Sequence, residues 1–252
     1  MIDLTPLVRF GLVLVRTGVL VAFTPIFGSL FAPSMVKIGL AVTLAVVLAP
    51  VVALPGALTV TSLAIVVTRE VAIGLALAMS VSLVVAVAEL AGYLTGFQLG
   101  YSYASIIDPQ TGVQNNTIAT LYSSLALYVF FALDGHHVVI RALAASYRAL
   151  PIGLGHIGPS LVPTVTQMLG LIFTEGVRLA APVIVVLLVL ELAIGLLTRA
   201  APALNIFIIG YPLQLFVGLL TLAAVVRIVP AVTADAMQRA LELAVRLAQA
   251  FR

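Results

Sequence analysis

The chain has 252 residues, of which 63% are hydrophobic and 8% are charged, whereas charged residues make up about a quarter of an ordinary soluble domain. This composition excludes a soluble globular protein and indicates a polytopic membrane protein, whose apolar surface lipid can cover. The absence of cysteine excludes disulfides, thiolate metal sites and cysteine nucleophiles, and a net charge of +3 without a basic run gives no sign of nucleic-acid binding.

The N-terminal segment predicts a retained first helix rather than a cleavable signal peptide. Asp3 stands where a signal peptide has basic residues, and Arg9 and Arg16 interrupt the apolar run. Proline, glycine and charged residues then divide the chain into about six hydrophobic helices, several near the lower limit of about 17 residues for a span. These segments are Leu7–Phe27, Ile38–Leu54, Ser62–Leu90, Ile118–Leu133, Ala180–Thr198 and Ile206–Val229.

The third segment is longer than one span requires, and we expect it to continue into a run of glycines. Gly92, Gly96 and Gly100 recur every four residues, a spacing that lets one helix face pack closely against a neighbour. A polar, turn-rich loop from Ser105 to Thr117 follows. Irregular backbone is tolerated at membrane depth only where protein or water satisfies it, so the loop is either an exposed connection or part of an aqueous pathway.

The second half of the chain contains two more polar regions. The stretch from Asp134 to Gly176 includes three prolines and is predicted to be the largest extramembrane part. After Pro230 the pattern is that of an amphipathic helix with acid–base pairs four residues apart, which indicates a surface helix rather than a seventh span. Its predicted apolar side consists of Met237, Leu241, Ala244 and Ala248.

A glycine motif, Gly153-Leu-Gly-His-Ile-Gly158, matches the dinucleotide-binding fingerprint in its letters. That fingerprint requires a preceding strand and a helix that opens at the third glycine. Here Pro159 follows at once and no strand–helix–strand pattern is present. We therefore expect a flexible loop without a nucleotide.

A second motif, Asp134-Gly135-His136-His137, invites a metal-binding or hydrolase interpretation. Adjacent histidines on a helix diverge by about 100°, and no further His, Cys or carboxylate lies nearby to complete a tetrahedral site. We therefore interpret Asp134 as the N-cap of a helix that begins near Gly135.

Glu191 lies in the middle of an apolar segment, and Arg16 and Arg227 are likewise embedded in apolar segments. A carboxylate at bilayer depth is unfavourable unless it is paired, so Glu191 marks either a packed polar contact or an ion path. Its candidate partners are Arg16, Arg227 and a residue of a neighbouring subunit. Both interpretations of Glu191 remain open at the level of sequence.

Five short stretches carry a resemblance to a known family. They are residues 91–100 (AGYLTGFQLG), 105–114 (SIIDPQTGVQ), 133–137 (LDGHH), 150–153 (LPIG) and 199–213 (RAAPALNIFIIGYPL). In combination, and with the pattern of spans, they resemble the FliR family of the flagellar type III export gate nearly end to end.

The resemblance implies a non-enzymatic pore component without catalytic residues, cofactor or metal. Such a subunit assembles with FliP and FliQ into a helical gate of tilted hairpins in the bacterial inner membrane, at the flagellar basal body. FlhB and FlhA associate with this gate, and unfolded flagellar proteins pass through it. The chain would then be one membrane domain, 1–252, with a FliP-like part at 1–179, a FliQ-like hairpin at 180–229 and the amphipathic helix at 230–252.

The resemblance also implies that the loop near residues 101–117 is a plug that closes the pore. Family members carry phenylalanines before the Asp-Pro pair, whereas this chain has Tyr101, Tyr103 and Ile106. The implied seal is therefore a mixture of aromatic and aliphatic side chains. The plug residues are Tyr101, Tyr103, Ser105, Ile106, Ile107, Asp108, Pro109, Gln110, Thr111, Gly112 and Val113.

Two arguments predict opposite orientations of the chain in the membrane. The positive-inside rule, applied to the loop charges, places both termini in the cytoplasm. The resemblance instead places the turn Thr198–Asn205, with Arg199, Pro202 and Asn205, on the cytoplasmic side. We follow the resemblance, because family members sit partly above the bilayer plane, where insertion rules need not apply.

Two alternative functions remain beside the flagellar gate. The injectisome subunit SctT shares the architecture, and the flagellar assignment depends mainly on the Asp-Gly-His-His and Asp-Pro-Gln stretches. A small-molecule or ion permease could use Glu191, but a permease is expected to show paired broken spans in two halves, and the sequence contains no such repeat.

Overall fold

A computed structural model describes residues 5–25, 33–54, 60–100, 116–155, 158–201 and 206–251. Within these ranges the chain is helical and has no β-strand, so the predicted all-α fold class is confirmed. The helices, in chain order, are α1 (Thr5–Phe23), α2 (Ser34–Leu48), α3 (Val60–Gln98), α4 (Thr117–Ala132), α5 (Gly135–Ala149), α6 (Leu161–Ala200), α7 (Ile206–Val225) and α8 (Val229–Ala250).

Four of these helices, α1, α3, α6 and α7, are long and apolar enough to cross a membrane. The pair α4 and α5 passes the same test jointly but bends by 70° at its break, so it adds a fifth span if the pair counts as one. Length and composition thus agree with a polytopic membrane protein. The predicted second span corresponds to α2, which has only 15 residues and falls short of a membrane crossing.

The two longest helices differ from their predicted bounds. α3 has 39 residues and continues through Gly92 and Gly96, as expected. α6 has 40 residues and begins at Leu161, so the break predicted before Ala180 is absent. Pro163 does not prevent this helix because a proline in the first turn has no intrahelical N–H bond to lose. At 1.5 Å per residue, each helix is roughly 60 Å long, about twice the hydrocarbon thickness of a bilayer.

The turn between α4 and α5 depends on Asp134. The helix begins at Gly135, as predicted, but Asp134 has a φ of 56° and makes no side-chain cap hydrogen bond. Asp134 therefore occupies the predicted N-cap position, but its carboxylate does not bond the first helical N–H groups; its backbone carbonyl accepts from the N–H groups of His137 and Val138. Asp134 Oδ1 instead lies 3.2 Å from His137 Nδ1.

The contacts divide the chain into two compact units, each made of several segments. Unit 1 comprises Met1–Val84, Phe131–Leu169 and Met237–Arg252. Unit 2 comprises Val85–Phe130 and Gly170–Ala236.

Unit 1 is built around a buried ion pair. The side chains of Arg16 in α1 and Glu70 in α3 are both completely inaccessible to solvent, and Arg16 Nε lies 2.6 Å from Glu70 Oε2. The guanidinium also donates to Ser146 Oγ and to the carbonyl oxygen of Leu150, each at 3.1 Å. All three of its nitrogens are therefore satisfied, as a buried charge requires.

Tyr147 of α5 completes this network. Its ring lies 4.2 Å from the Arg16 guanidinium carbon, a distance typical of a cation–π contact. Its hydroxyl donates to the carbonyl oxygen of Val13, 3.1 Å away, and lies 3.5 Å from Thr17 Oγ1. α5 is thus held against α1 by polar contacts as well as by packing.

The described residues of the glycine motif, 153–155 and 158, lie between α5 and α6 and outside both helices, as expected of a loop. Arg69 Nη1 donates to the carbonyl oxygen of Gly153, and the N–H of Gly153 donates to Glu70 Oε1. The N–H of Gly158 donates to the carbonyl oxygen of Ala250. Hydrogen bonds therefore hold both described ends of the loop, and its flexibility stays a prediction.

Unit 2 has an apolar core drawn from α3, α4, α6, α7 and the start of α8. Its residues include Ala91, Tyr122, Ala126, Val183 and Leu187, all at most 1% exposed. Alanines and valines at the contact points allow the helix axes to approach closely.

The C-terminal helix α8 is amphipathic and is absent from the candidate spans of the described chain, as predicted. Its buried side is not the predicted one. Ala236, Ala240, Leu243 and Leu247 are buried, whereas Leu241 and Ala244 line an open groove beside α5. Both sets recur at helical spacing, and sequence alone could not tell which set meets the fold.

We expect Glu70→Gln to lower the free energy of unfolding by about 3–5 kcal/mol, because it leaves the Arg16 charge buried without its counterion. The double substitution Arg16→Met with Glu70→Met should cost less, since it removes both charges and keeps apolar volume. Denaturant unfolding in detergent micelles measures both. A single variant as stable as the wild type would contradict the importance of the pair.

Candidate functional site

The end of α3 and the start of α4 form the stem of the predicted plug loop. Gly92 and Gly96 are buried on α3 and face α4. A Cβ atom added to Gly92 would lie 2.5 Å from Ala119 Cα and 2.9 Å from the carbonyl oxygen of Ile118. Only a residue without a side chain permits this approach of the two backbones.

Gly100 has a different role from the other two glycines. It follows the end of α3 and has a φ of 82°, in the left-handed region that glycine adopts without strain. Its N–H donates to the carbonyl oxygen of Phe97, and that of Leu99 donates to Thr95. Gly100 therefore terminates the helix instead of extending its packing face.

Asn116 joins the two helices of the stem. Its side-chain oxygen accepts hydrogen bonds from the N–H groups of Ile118 and Ala119, which caps the start of α4. Its Nδ2 donates to the carbonyl oxygen of Tyr93 on α3, 3.3 Å away. The missing side chain of Gly96 leaves the space that the Asn116 amide occupies.

A polar cluster of Gln98, Glu191 and Gln214 lies at the same end of α3. The side-chain amides of Gln98 and Gln214 both donate to Glu191 Oε1, at 2.9 and 3.1 Å. Gln214 Nε2 also donates to the backbone carbonyl of Gln98, 2.7 Å away, in the last turn of α3. This cluster links α3, α6 and α7 and satisfies a carbonyl that the end of a helix leaves free.

The charge on Glu191 is not neutralised inside the described part of the chain. No Lys, Arg or His nitrogen there is within 4.0 Å of its carboxylate, and the residue is exposed. A charged side chain at the centre of a membrane helix is unfavourable by about 2.5–3.5 kcal/mol. Two neutral amides reduce this penalty but do not balance the charge.

The other charged residues predicted within spans lie elsewhere. Arg16 is paired with Glu70, so the first candidate partner of Glu191 is already occupied. Arg227 is exposed in the turn between α7 and α8, outside both helices, because α7 ends at Val225 and not at the predicted Val229.

The remaining predicted site residues fall largely outside the described ranges. All the predicted plug residues lie in 101–115, which the structure does not describe. Pro202 and Asn205 of the predicted cytoplasmic turn also lie outside, while Arg199 is exposed in the last turn of α6. Their roles stay predictions.

Asp134, His136 and His137 lie closer together than the sequence argument allowed. The two imidazole rings are 4.1 Å apart, and one ligand atom from each of the three residues lies within 4.8 Å of the others. The prediction that the histidines diverge is therefore wrong, because side-chain rotation brings the rings together at the start of α5. The set still offers three ligands, where a tetrahedral zinc site has four.

Two features of the sites were missed at the level of sequence. Glu70 is one of two carboxylates in the apolar helix α3, the other being Glu89, and an embedded arginine such as Arg16 is itself a signal to search for a carboxylate partner. The amides of Gln98 and Gln214 were equally visible as isolated polar side chains in apolar helices.

Comparison with known proteins agrees with this architecture. The family model described as "Bacterial export proteins, family 1" matches residues 7–240. The flagellar biosynthetic protein FliR of Escherichia coli (strain K12) is 34% identical over 217 residues, which is 86% of this chain and 83% of that protein. The chain belongs to the FliR family of bacterial export proteins.

Other members of the FliR family match the chain over similar or greater lengths. FliR of Pectobacterium carotovorum subsp. carotovorum is 34% identical over 218 residues, 86% of this chain and 83% of that protein. FliR of Bacillus subtilis (strain 168) is 28% identical over 253 residues, 96% of this chain and 97% of that protein. The FliR family match therefore includes both the loop stem and the Glu191 cluster.

We expect Gly92→Ala to destabilise the protein by about 1–3 kcal/mol, because the new methyl group overlaps the α4 backbone. Gly170→Ala on α6 is the matched control, since nothing lies within 4 Å of its added Cβ. The control should be neutral or stabilising by about 0.5–1 kcal/mol. Thermal unfolding in detergent compares the two, and equal stabilities would argue against close packing at Gly92.

Proposed function

We propose that this chain is a core subunit of the flagellar type III protein export gate, a channel for unfolded flagellar proteins in the bacterial inner membrane. The observation that carries the proposal is the 34% identity, over 86% of the chain, to proteins named flagellar biosynthetic protein FliR. FliP- and FliQ-like subunits are the proposed partners in the channel, with FlhB and FlhA associated. The chain acts by forming a pathway and performs no catalysis.

The exposure of the apolar helices supports a chain that other proteins complete. In α3, 61% of the candidate span is buried inside the chain, but in α6 and α7 the fraction is only 22%. The uncovered surface of these two helices carries large side chains such as Leu192, Leu196 and Phe216, which are 62%, 69% and 63% exposed. Lipid or partner helices can cover such a surface, and an export channel built from several subunits supplies the latter.

The pairing of α6 with α7 supports a hairpin at residues 180–229. Gln214 contacts Glu191, and a Cβ added to Gly218 would meet the side chain of Leu187. In both pairs the residue numbers rise on one helix as they fall on the other, so the helices run antiparallel. We propose that this hairpin is the FliQ-like element, that 1–179 is the FliP-like part and that 230–252 is an appended amphipathic helix.

The stem of the loop supports the proposed plug. Gly100 follows the end of α3 and Asn116 precedes the start of α4. The Gln214 amide donates to the carbonyl oxygen of Gln98 at the end of α3, and the Asn116 amide donates to the carbonyl oxygen of Tyr93. The intervening residues include Tyr101, Tyr103 and Ile106, whose apolar side chains can close a channel by excluding water. We propose that the residues from Tyr101 to Val113 form this seal.

Deletion of Ser105–Gly112 should leave the complex assembled but make the membrane leak ions or small solutes, because the seal is lost and the stem is retained. Conductance of the purified complex in planar bilayers measures the leak. Asn116→Ala is a control that weakens the α4 cap without removing apolar loop residues, so its conductance should remain closer to wild type. An assembled deletion variant with wild-type conductance would refute the plug.

The export role itself is tested by deleting the gene from its host. We expect cells without flagella and without secreted flagellar subunits, with restoration by the wild-type gene. Flagellated, motile deletion cells would refute the proposed function.

A further inference from the structure

The Glu191 cluster lies on an uncovered apolar surface. Leu188 and Leu192, which flank Glu191 on α6, are 50% and 62% exposed. Phe97, the neighbour of Gln98 on α3, is 62% exposed. A carboxylate is thus presented in the middle of an exposed apolar helical face of the described chain.

The hydrogen bonds leave one side of the carboxylate available. Both amides donate to Oε1, and the described chain shows no hydrogen bond to Oε2. The donors are neutral, so the negative charge remains without a counterion. The cluster orients Glu191 and leaves an acceptor oxygen for a group from outside the chain.

The cations of the chain do not fill this role. Arg199 lies eight residues further along α6, a rise of about 12 Å, and its guanidinium is not within 4.0 Å of the Glu191 carboxylate. Arg178 is paired with Glu175, and Arg227 lies in the turn after α7. Glu191 is exposed on an apolar face and has no cation beside it in the described chain. A cation from a partner subunit would stabilise this charge.

The surface next to Glu191 also has room for a close approach. Gly195 lies one turn along the same helix, is exposed, and has nothing within 4 Å of an added Cβ. A small residue beside a polar group is the arrangement that lets a neighbouring membrane helix approach the backbone. Gly195 leaves space for a partner helix, and the Glu191 carboxylate requires that this helix carry a positive charge.

We propose that this face, Glu191 with Leu188, Leu192 and Gly195, docks an apolar transmembrane helix of another subunit that carries a single lysine or arginine opposite Glu191. The inference deepens the proposed function, on which it rests for the presence of partner subunits in the membrane. Charge complementarity selects this occupant over lipid, because an acyl chain cannot neutralise a carboxylate. The pair sets the register of the partner helix along α6.

The test uses the affinity-tagged full-length chain expressed from its own locus, with complexes resolved by native electrophoresis of detergent-solubilised membranes. Glu191→Gln should lower the fraction of the chain in the complex roughly threefold to tenfold, and Glu191→Lys should lower it further, because the partner's cation is left unpaired or repelled. Glu242→Gln, which removes one exposed negative charge from α8, is the matched control and should assemble as the wild type.

A second pair of variants guards against simple misfolding. Gln214→Lys keeps Glu191 and places an ammonium group where an amide now reaches its Oε1, so it should repel the partner's cation and reduce assembly. Gln214→Met removes the same amide without adding charge and should reduce assembly less. Membrane levels and protease resistance of each unassembled chain report on folding separately.

Suppressors of Glu191→Lys, selected for restored assembly-dependent function, identify the partner residue. We expect a lysine or arginine changed to a neutral or acidic residue within an apolar helix of a co-purifying protein. Wild-type assembly of Glu191→Lys, equal loss in the Gln214→Lys and Gln214→Met variants, or a wild-type chain that migrates alone would overturn the inference. If assembly depends on Glu191 but the partners are unrelated to flagella, the proposed function fails and the docking surface stands.

Discussion

The buried ion pair of Arg16 and Glu70 is the contact on which unit 1 depends. It joins residues 54 positions apart and recruits α5 through Ser146 and the carbonyl oxygen of Leu150. A charge without solvent requires hydrogen-bond partners, and each of the three nitrogens of Arg16 has one, so the network favours this arrangement of α1, α3 and α5. In a chain whose apolar helices could pack in many ways, such a network supplies specificity that hydrophobic contact alone lacks.

Two glutamates on apolar helices, Glu70 of α3 and Glu191 of α6, differ in the groups that surround their carboxylates. Glu70 is fully buried and has its guanidinium within the same chain. Glu191 is exposed and has only amides. The first arrangement stabilises the fold, whereas we propose that the second serves association and that its counterion comes from a partner. The same physical rule, that a charge away from water requires a partner, therefore describes both the interior and the uncovered face.

The features that could be predicted from the sequence are those that depend on residues close together in the chain. The continuation of α3 through Gly92 and Gly96, the start of α5 at Gly135 and the amphipathic α8 were all predictable, because each depends on neighbours a few residues away. The membership in the FliR family was predictable from motifs in combination.

Features that depend on distant residues or on backbone conformation were not predictable. The partner of Arg16 lies 54 residues away, and no local pattern identifies Glu70 among the carboxylates. Asp134 lies at the predicted N-cap position but has a positive φ and makes no side-chain cap hydrogen bond, and the prediction that His136 and His137 diverge was wrong because it left out side-chain rotation. The plug and the cytoplasmic turn stay predictions from resemblance.

The hydrogen bonds that hold the loop stem come from residues outside the loop. Asn116 closes one end and the Gln214 amide caps the other, and neither residue lies in the loop of 101–115. A substitution between these anchors therefore leaves both of these described hydrogen bonds in place, so its effect on a loop function can be measured without removing either of them. Because the chain has no cysteine, a single thiol introduced there would also be a unique chemical handle.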